Sequence, residues 1–285
     1  MTEQFRPRGF SLLPMIVKNL LIINGLMFVA QIVAEKSFGF SLEDILGLHY
    51  PASMAFKPWQ FITYMFMHGS FWHLAFNMFA LWMFGYALEN IWGPKRFLVY
   101  YLITGIGAAL VHYLVIYFQI NPTVVRLDAL IADPTAPAIF DFISQYTLQF
   151  NQYSGDIYLQ SQKFQEALEA LAYNPENRQA LLIARNFMVD YREYYMSLPN
   201  VIGASGAVYG ILLAFGMLFP NTLMFIIFFP FFPIKAKYIV IGYGLIELFS
   251  GFSGADSNIA HFAHLGGMIF GFFLILYWKK KGRLY

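Results

Sequence analysis

The stretch VIGASGAVYGILLAFGMLF, residues 201–219, contains no charged side chain and surrounds one serine, Ser205, with small residues. A bilayer-spanning helix needs about 20 predominantly apolar residues, so this stretch is long enough to cross a membrane. The rest of the chain has the same character, because 59% of its 285 residues are hydrophobic and only 12% are charged. Soluble domains carry roughly 25% charged residues. The composition indicates an integral membrane protein and argues against disorder, nucleic-acid binding and an ordinary soluble enzyme.

Six segments are predicted to be membrane-spanning helices. They cover residues 13–34, 71–91, 97–118, 201–219, 238–252 and 259–278. The fifth segment is short for a span. The first contains Lys18 and Asn19 and ends without a small-residue cleavage site, so we expect it to be a retained helix rather than a signal peptide. The predicted fold class is all-α: a polytopic bundle of six transmembrane helices with an extramembrane helical insertion.

Three connections between these segments differ from simple loops. Residues 35–70 are semi-apolar and rich in Phe, which predicts an interfacial segment with short helices. Residues 221–233 are apolar but interrupted by proline, so we expect them to lie along the interface or to fold back. Residues 119–200 are polar, and their second half has apolar residues at helical spacing with a break near Pro175. This pattern predicts a helical insertion.

The predicted organisation has three parts. Residues 1–119 hold the first three transmembrane helices and an interfacial first outer loop, residues 120–199 form the extracytoplasmic insertion, and residues 200–285 hold the last three helices. The chain has no cysteine, which excludes disulfides, thiolate metal sites and cysteine nucleophiles.

The distribution of basic residues predicts the orientation. With a cytoplasmic N-terminus, most of the basic residues would lie on the cytoplasmic side. They are Arg6, Arg8, Lys18, Lys95, Arg96, Lys235, Lys237, Lys279, Lys280, Lys281 and Arg283, against Glu3 and Glu89 as acids. The insertion carries more acids than bases. The positive-inside rule therefore places both termini in the cytoplasm and the insertion outside, which is the periplasm in a bacterium. A bacterial inner (plasma) membrane is the expected location.

Ser205 lies between Gly203, Ala204 and Gly206, so a backbone or a substrate can approach it closely. The predicted helix begins near this serine, and the N–H groups at a helix N-terminus can hold an anion. The same small residues would also serve helix packing, with Gly206 and Gly210 on one face. The segment alone leaves both interpretations open.

His264 lies in the sixth predicted helix, one turn before Gly267 and two before Gly271. We expect these glycines to pack against Gly206 and Gly210 of the fourth helix, which would bring the imidazole beside Ser205. Counted along the predicted helices, both side chains lie about five residues below the outer ends, or roughly 7–9 Å deep. A serine becomes a nucleophile when a neutral histidine accepts its proton.

His73 and Asn77 are spaced i, i+4, so they project from one face of the second predicted helix near its outer end. Both side chains can donate hydrogen bonds, which suits an oxyanion hole beside the Ser205 backbone N–H. An interhelical polar clamp is the structural alternative.

Together these motifs resemble those of the rhomboid intramembrane serine proteases. The matching sequences are HLAFN at residues 73–77, GASGAVYG at 203–210 and AHLGGMIFG at 263–271. Their order and spacing are similar to those of the family over residues 13–119 and 200–279. GxSG alone would be a weak signal, whereas the combination is specific.

The resemblance implies that Ser205 is the nucleophile and His264 the general base of a dyad without an acidic partner. It implies that His73, Asn77 and the Ser205 amide form the oxyanion hole. Tyr209 corresponds to a tyrosine that packs on the imidazole, and Gly203 and Gly206 support the site. A further implied element is a structural polar cluster at the inner end of the second helix, formed by Glu89, Gly93 and Arg96. One departure from the family pattern is Trp59-Gln60, where the first outer loop often carries Trp-Arg.

Three polar residues remain outside the motifs. His261 and His68 could form a zinc site with His264 and His73, but the HExxH signature and an acidic second shell are missing, so we expect no metal. We expect His68 and His261 to form hydrogen bonds near an outer water cavity. Glu247, in the fifth predicted helix, is expected to pair with a polar group facing the bundle.

The predicted function is an intramembrane serine endopeptidase that needs no cofactor. Its expected partners are the lipid bilayer and single-span membrane proteins, cut near the outer membrane boundary. One alternative is a catalytically inactive rhomboid-like protein that binds or escorts membrane proteins, although this chain keeps both Ser205 and His264. A second is a transporter with His73, His264 and Glu247 as a proton relay, for which we expect paired repeats that the sequence does not show. The insertion either shapes substrate access or is a tolerated surface element.

Overall fold

The computed structural model describes residues 11–151, 154–226, 229–253 and 260–282. Several sequence features discussed above lie outside these residues: Glu3, Arg6, Arg8, Arg283 and the expected start of the sixth helix at Ile259. The described residues are mainly helical and carry a few short strands.

The helices are α1 (Met15–Val33), α2 (Leu42–Leu46), α3 (Gln60–Thr63), α4 (Phe71–Trp92), α5 (Pro94–Ala132), α6 (Ala136–Gln145), α7 (Asp156–Tyr173), α8 (Arg178–Ser197), α9 (Ser205–Leu218), α10 (Ala236–Ser253) and α11 (His261–Lys280). A π-helical turn, Ala34–Phe38, extends α1, and a 3₁₀ turn, Tyr64–Phe66, follows α3. The strands are β1 (Leu48–His49), β2 (Asn200–Val201), β3 (Leu223–Ile226) and β4 (Phe229–Lys235).

Four helices among the described residues are long and apolar enough to cross a membrane: α1 with its π-helical extension, α4, α5 and α11. The six predicted segments fall on these four helices and on α9 and α10. Helix α9 is apolar but has only 14 residues, because it begins at Ser205, near which a helix N-terminus was expected, and not at residue 201, the outer limit of the predicted span. The protein is thus an all-α polytopic membrane protein, as the sequence predicted.

The third predicted helix is longer than expected. Helix α5 runs for 39 residues, past the polar residues near position 119 and through Pro122. A proline inside a helix removes one backbone hydrogen bond and usually breaks or kinks it. Here the segment beyond the proline stays helical and contributes the buried side chains of Leu127 and Leu130 to a core. Tertiary packing of an apolar helix face can therefore outweigh the local signal of a proline.

The chain folds as two compact units. The first unit comprises Met1–Leu48, Pro58–Tyr113 and Val201–Tyr285, and the second comprises His49–Lys57 and Leu114–Asn200. The boundary between the units therefore falls within α5.

The second unit has a core of its own, in which the rings of Phe164 and Phe187 stack with centroids 4.2 Å apart. Phe164 lies on α7 and Phe187 on α8, and the two helices pack on each other. The chain leaves α7 at Tyr173 and enters α8 after Asn177, whose side chain accepts a hydrogen bond from the Ala180 N–H at 3.1 Å. The predicted interruption near Pro175 is confirmed, and an asparagine N-cap explains where the second helix begins.

The apolar segment 221–233 folds back on itself. Strands β3 and β4 pair antiparallel, with Leu223 opposite Lys235 and Met224 opposite Ile234. The sequence had left open whether this segment lies along the interface or folds back. A hairpin satisfies backbone N–H and C=O groups with each other, which an apolar segment too short to span the membrane requires.

A buried carboxylate fixes the start of α1. The two oxygens of Glu89, on α4, accept hydrogen bonds from the backbone N–H groups of Ile16 at 2.9 Å and Val17 at 2.8 Å. The first N–H groups of a helix lack partners within the helix and favour a negative charge. Arg96, expected in the same polar cluster, lies over the Trp278 ring at 5.6 Å. Of the residues expected in this cluster, Glu89 thus acts as a cap for another helix.

Helices α9 and α11 approach each other through glycine. A Cβ atom built on Gly267 would lie 1.9 Å from the carbonyl oxygen of Gly206, so only glycine permits this backbone contact. The other two glycines of these faces also meet a third helix. Gly210 faces Thr104, and Gly271 faces the Tyr100 hydroxyl, both on α5. The Tyr100 hydroxyl donates to the Gly210 carbonyl at 2.9 Å, so α5 packs against α9 and α11 at these two glycines.

We expect Glu89→Ala to lower the free energy of unfolding by about 2–4 kcal/mol, because two N–H groups lose a charged acceptor in a buried site. Thermal unfolding of the detergent-solubilised protein would measure this. Glu35→Ala, which removes an exposed acid near the other end of α1, is the matched control and should leave the transition nearly unchanged. Equal effects of the two substitutions would contradict the capping role.

Gly267→Ala should destabilise the protein by about 2 kcal/mol or more, since the added methyl group meets a backbone oxygen that cannot move aside. Gly242→Ala is the matched control, because a Cβ at Gly242 has no heavy atom within 4 Å. In the same unfolding assay the control should be neutral or slightly stabilising. A neutral Gly267→Ala variant would show that the two helices are not held at this contact.

Candidate active site

Ser205 is the first residue of α9, and the preceding turn depends on glycine. Gly203 has a φ of +121°, a backbone conformation that residues with a Cβ atom rarely adopt. Its N–H donates to the Tyr64 carbonyl at 2.9 Å, which anchors the turn. A Cβ at this position would also lie 2.7 Å from Nε2 of His73. Glycine thus permits both the sharp entry into α9 and the close approach of the His73 ring.

The Ser205 hydroxyl and the His264 imidazole are in direct contact, with Oγ and Nε2 2.7 Å apart. His264 is the fourth residue of α11, and Ser205 is the first of α9. The expectation that both lie about five residues inside their helices is therefore wrong. The contact between Gly206 and Gly267 accounts for the short distance, because each glycine lies within one turn of the neighbouring polar residue.

Tyr209 packs on the imidazole as expected. Its ring is parallel to that of His264, with an interplanar angle of 6° and centroids 4.3 Å apart. Tyr209 lies one turn after Ser205 on α9, so a single helix carries the hydroxyl and the surface that supports the imidazole. An aromatic face on one side of a histidine limits the orientations that its ring can take.

A carboxylate also reaches this histidine, contrary to the expectation of a dyad without an acidic partner. Oε2 of Glu247 lies 2.9 Å from Nδ1 of His264 and 2.7 Å from Nδ1 of His261. The first contact has the distance of an ion pair without the full alignment of a hydrogen bond, and the second is a hydrogen bond. Oε1 of Glu247 accepts a hydrogen bond from the Tyr209 hydroxyl. The polar partners expected for Glu247 are thus His261, His264 and Tyr209.

One feature of the sequence could have indicated this arrangement. Glu247 is the only acidic residue in α10, and an acid within an apolar helix requires polar partners. The two histidines at the start of α11 follow it closely in the chain. Spacing alone could not show which of their nitrogens would meet the carboxylate.

His73 lies beside this cluster, while Asn77 is engaged within its own helix. The Asn77 side-chain amide donates to the His73 carbonyl at 2.9 Å, which uses one of its two N–H groups. The rings of His68 and His73 meet edge to face at 5.0 Å. His68 is fully buried, and its ring nitrogens have no hydrogen-bond partner among the residues that the structure describes. Its backbone instead pairs with the Gln31 side chain.

Glu247, His261 and His264 also offer one possible metal-ligand atom each, all within 4.8 Å of one another. This set shares His261 and His264 with the zinc alternative that the sequence suggested, and has Glu247 where that alternative had His68 and His73. Nitrogen and oxygen ligands of a tetrahedral zinc ion would be about 3.3 Å apart, given zinc–ligand bonds of about 2.0 Å. The nitrogen–oxygen distances of 2.7 and 2.9 Å are shorter and match a hydrogen bond for His261 and an ion-pair contact for His264.

Comparison with known proteins identifies the relatives of this chain. The model of the rhomboid domain family matches residues 55–123 and 179–281, more than half of the chain. These two segments contain the three motifs, and part of the insertion lies between them.

Three curated relatives are similar over shorter regions. Rhomboid protease AarA of Providencia stuartii is 36% identical over 72 residues, which is 25% of this chain and 26% of the relative. Rhomboid protease GluP of Bacillus subtilis is 40% identical over 55 residues, or 19% of this chain and 11% of GluP. Rhomboid-like protein 11, chloroplastic, of Arabidopsis thaliana is 42% identical over 62 residues, or 21% and 22% of the two chains. With the family match over more than half of its length, the chain belongs to the rhomboid family.

Proposed function

We propose that this protein is an intramembrane serine endopeptidase in which Ser205 is the nucleophile and His264 the general base. The observation that carries the proposal is the 2.7 Å distance between the Ser205 hydroxyl oxygen and Nε2 of His264. A serine hydroxyl is a weak nucleophile until an adjacent base accepts its proton, and this distance lies within hydrogen-bond reach. Two of the similar proteins carry the name rhomboid protease, which supports the same activity.

The proposed reaction is acyl transfer to serine followed by hydrolysis. Oγ of Ser205 attacks a peptide carbonyl while its proton passes to Nε2 of His264. The imidazolium then protonates the leaving amine as the peptide bond breaks, which leaves an acyl-enzyme. Water attacks this ester, again with His264 as base, and releases Ser205. In each half of the reaction His264 accepts one proton from the attacking group and returns it to the leaving group, which is the amine first and Ser205 second, so the chemistry requires no metal or cofactor.

The oxyanion hole is proposed to combine a helix N-terminus with two side chains. The backbone N–H of Ser205 belongs to the first turn of α9, where N–H groups lack partners within the helix. His73 lies against Gly203, two residues before the nucleophile, and can direct a ring N–H towards the developing charge. Asn77 has one amide N–H beyond the one bound within α4. Removing one oxyanion donor typically lowers kcat by about 10²–10³-fold.

The proposed substrates are transmembrane segments of other membrane proteins, with single-span proteins cut near the outer boundary. Within the bilayer a helical segment keeps its carbonyls in hydrogen bonds, so the segment must unwind before Ser205 can attack. This favours sites with small or helix-breaking residues. The charge distribution supports cytoplasmic termini, and the acidic insertion would then face the outer side. Two of the similar proteins come from bacteria, which supports a bacterial inner membrane as the location.

A fluorophosphonate probe tests the proposal, because it reacts with an activated serine. We expect labelling of the purified, detergent-solubilised protein and cleavage of a single-span test substrate. Ser205→Ala and His264→Ala should each abolish both, since one removes the nucleophile and the other its base.

Ser144→Ala, at an exposed serine in α6, is the matched control and should react like the unaltered protein. Labelling that persists in Ser205→Ala would place the reactive serine elsewhere. An unaltered protein that neither reacts nor cleaves, but retains a membrane protein through purification, would favour the escort alternative.

A further inference from the structure

Glu247 is a buried carboxylate whose polar partners all lie at or next to the candidate active site. It is only 5% exposed, although it lies in α10, a helix whose other buried residues are apolar. Burying an ionised carboxylate is costly unless it is paired and hydrogen-bonded. Its partners are the Tyr209 hydroxyl and the imidazoles of His261 and His264. Tyr209 and His264 belong to the candidate active site, and His261 lies in the same first turn of α11 as His264.

The carboxylate lies opposite the serine across the imidazole. Nε2 of His264 is 2.7 Å from the Ser205 hydroxyl oxygen, and Nδ1 is 2.9 Å from Oε2 of Glu247. Both ring nitrogens therefore face an oxygen atom, one on α9 and the other on α10. Because a carboxylate can only accept a hydrogen bond, it favours the tautomer with the proton on Nδ1. In that tautomer Nε2 presents its lone pair to the serine hydroxyl, as a general base must.

Tyr209 contacts both the imidazole of His264 and the carboxylate of Glu247. Its ring stacks on His264 while its hydroxyl binds the carboxylate of Glu247. His261 holds the second oxygen through Nδ1. The orientation of the carboxylate is thus fixed from α9 and α11, the two helices that carry the serine and the histidine.

We propose that Glu247 is a positioning residue for His264, so that Ser205, His264 and Glu247 act in series, with the imidazole between the hydroxyl and the carboxylate. This inference rests on the proposed function. During attack the serine proton moves to Nε2, the Nδ1 proton stays on the ring, and the carboxylate remains ionised and stabilises the imidazolium. The alternative is that Glu247 only joins α10 to its neighbours. That role would affect stability without a specific effect on the chemical step.

The test compares Glu247→Gln with Tyr238→Phe, a conservative substitution on the exposed part of the same helix. With a single-span test substrate in detergent, Glu247→Gln should lower kcat at least about tenfold with KM nearly unchanged, because a neutral amide can favour the wrong tautomer. The fluorophosphonate labelling rate should fall by a similar factor. Tyr238→Phe should match the unaltered protein in all three measurements. A Glu247→Gln variant with unaltered kcat would overturn the proposal.

Chemical rescue distinguishes positioning from a structural link. In Glu247→Ala, added formate should raise kcat at least about threefold over equal chloride, because a small carboxylate can occupy the emptied site beside Nδ1. A formate effect no larger than that of chloride would count against a carboxylate acting on the imidazole.

A third variant tests the same contact without changing Glu247, so its result does not depend on whether the Glu247 variants fold. Tyr209→Phe keeps the stacked ring and removes only the hydroxyl bound to Glu247, so we expect a smaller fall in kcat than in Glu247→Gln. The double variant should lose no more than Glu247→Gln alone, since both changes act through one contact. A fall in kcat in the double variant equal to the two single effects combined would contradict a shared contact.

The two proposals fail in different ways. Without Ser205-dependent cleavage by the unaltered protein, both the endopeptidase function and the inference fail. Ser205-dependent cleavage that does not respond to Glu247 removes the inference alone.

Discussion

The close backbone contact between Gly206 and Gly267 is the constraint on which the candidate site depends. A side chain on Gly267 would meet the Gly206 carbonyl oxygen at 1.9 Å, so α9 and α11 can approach this closely only with glycine there. Ser205 and His264 lie within one turn of this contact, and their 2.7 Å separation follows from it. In an apolar solvent, packing of small residues replaces the hydrophobic effect as the force that joins helices. The glycine contact that joins α9 and α11 therefore also brings the Ser205 hydroxyl and the His264 imidazole together.

Two buried acids among the described residues of the first unit follow one physical rule with different results. Glu89 and Glu247 are each about nineteen-twentieths buried or more, and each is surrounded by hydrogen-bond donors. Such pairing is required, because an unpaired buried charge would be strongly unfavourable. Glu89 meets backbone N–H groups and caps a helix. Glu247 meets side chains that can change their protonation, and only the second arrangement can take part in chemistry.

The sequence predicted the helices more reliably than their ends. Apolar length located the spans, but α9 begins at Ser205 because Gly203 turns the chain there, and α5 continues through Pro122 because its apolar residues find a core. The first difference has a local cause in the backbone turn at Gly203, whereas the second arises from packing outside the local window. The partner of Gly206 was predicted correctly. The contacts of Gly210 and Gly271 with α5 were not predicted, because glycine spacing shows that a helix can be approached and does not show which helix approaches it.

The amino-acid sequence by itself determined that this is a helical membrane protein and which serine, histidines and asparagine carry its motifs, since composition and spacing are properties of the chain. The resemblance to the rhomboid family also predicted that Tyr209 would pack on His264. Only the tertiary structure decided that Glu247 would lie against Nδ1 of His264. The physical reason is that the distance between side chains on different helices depends on how α9, α10 and α11 pack together. No local pattern encodes that packing, and a shift of a few ångströms would have left the same carboxylate without any contact to the imidazole.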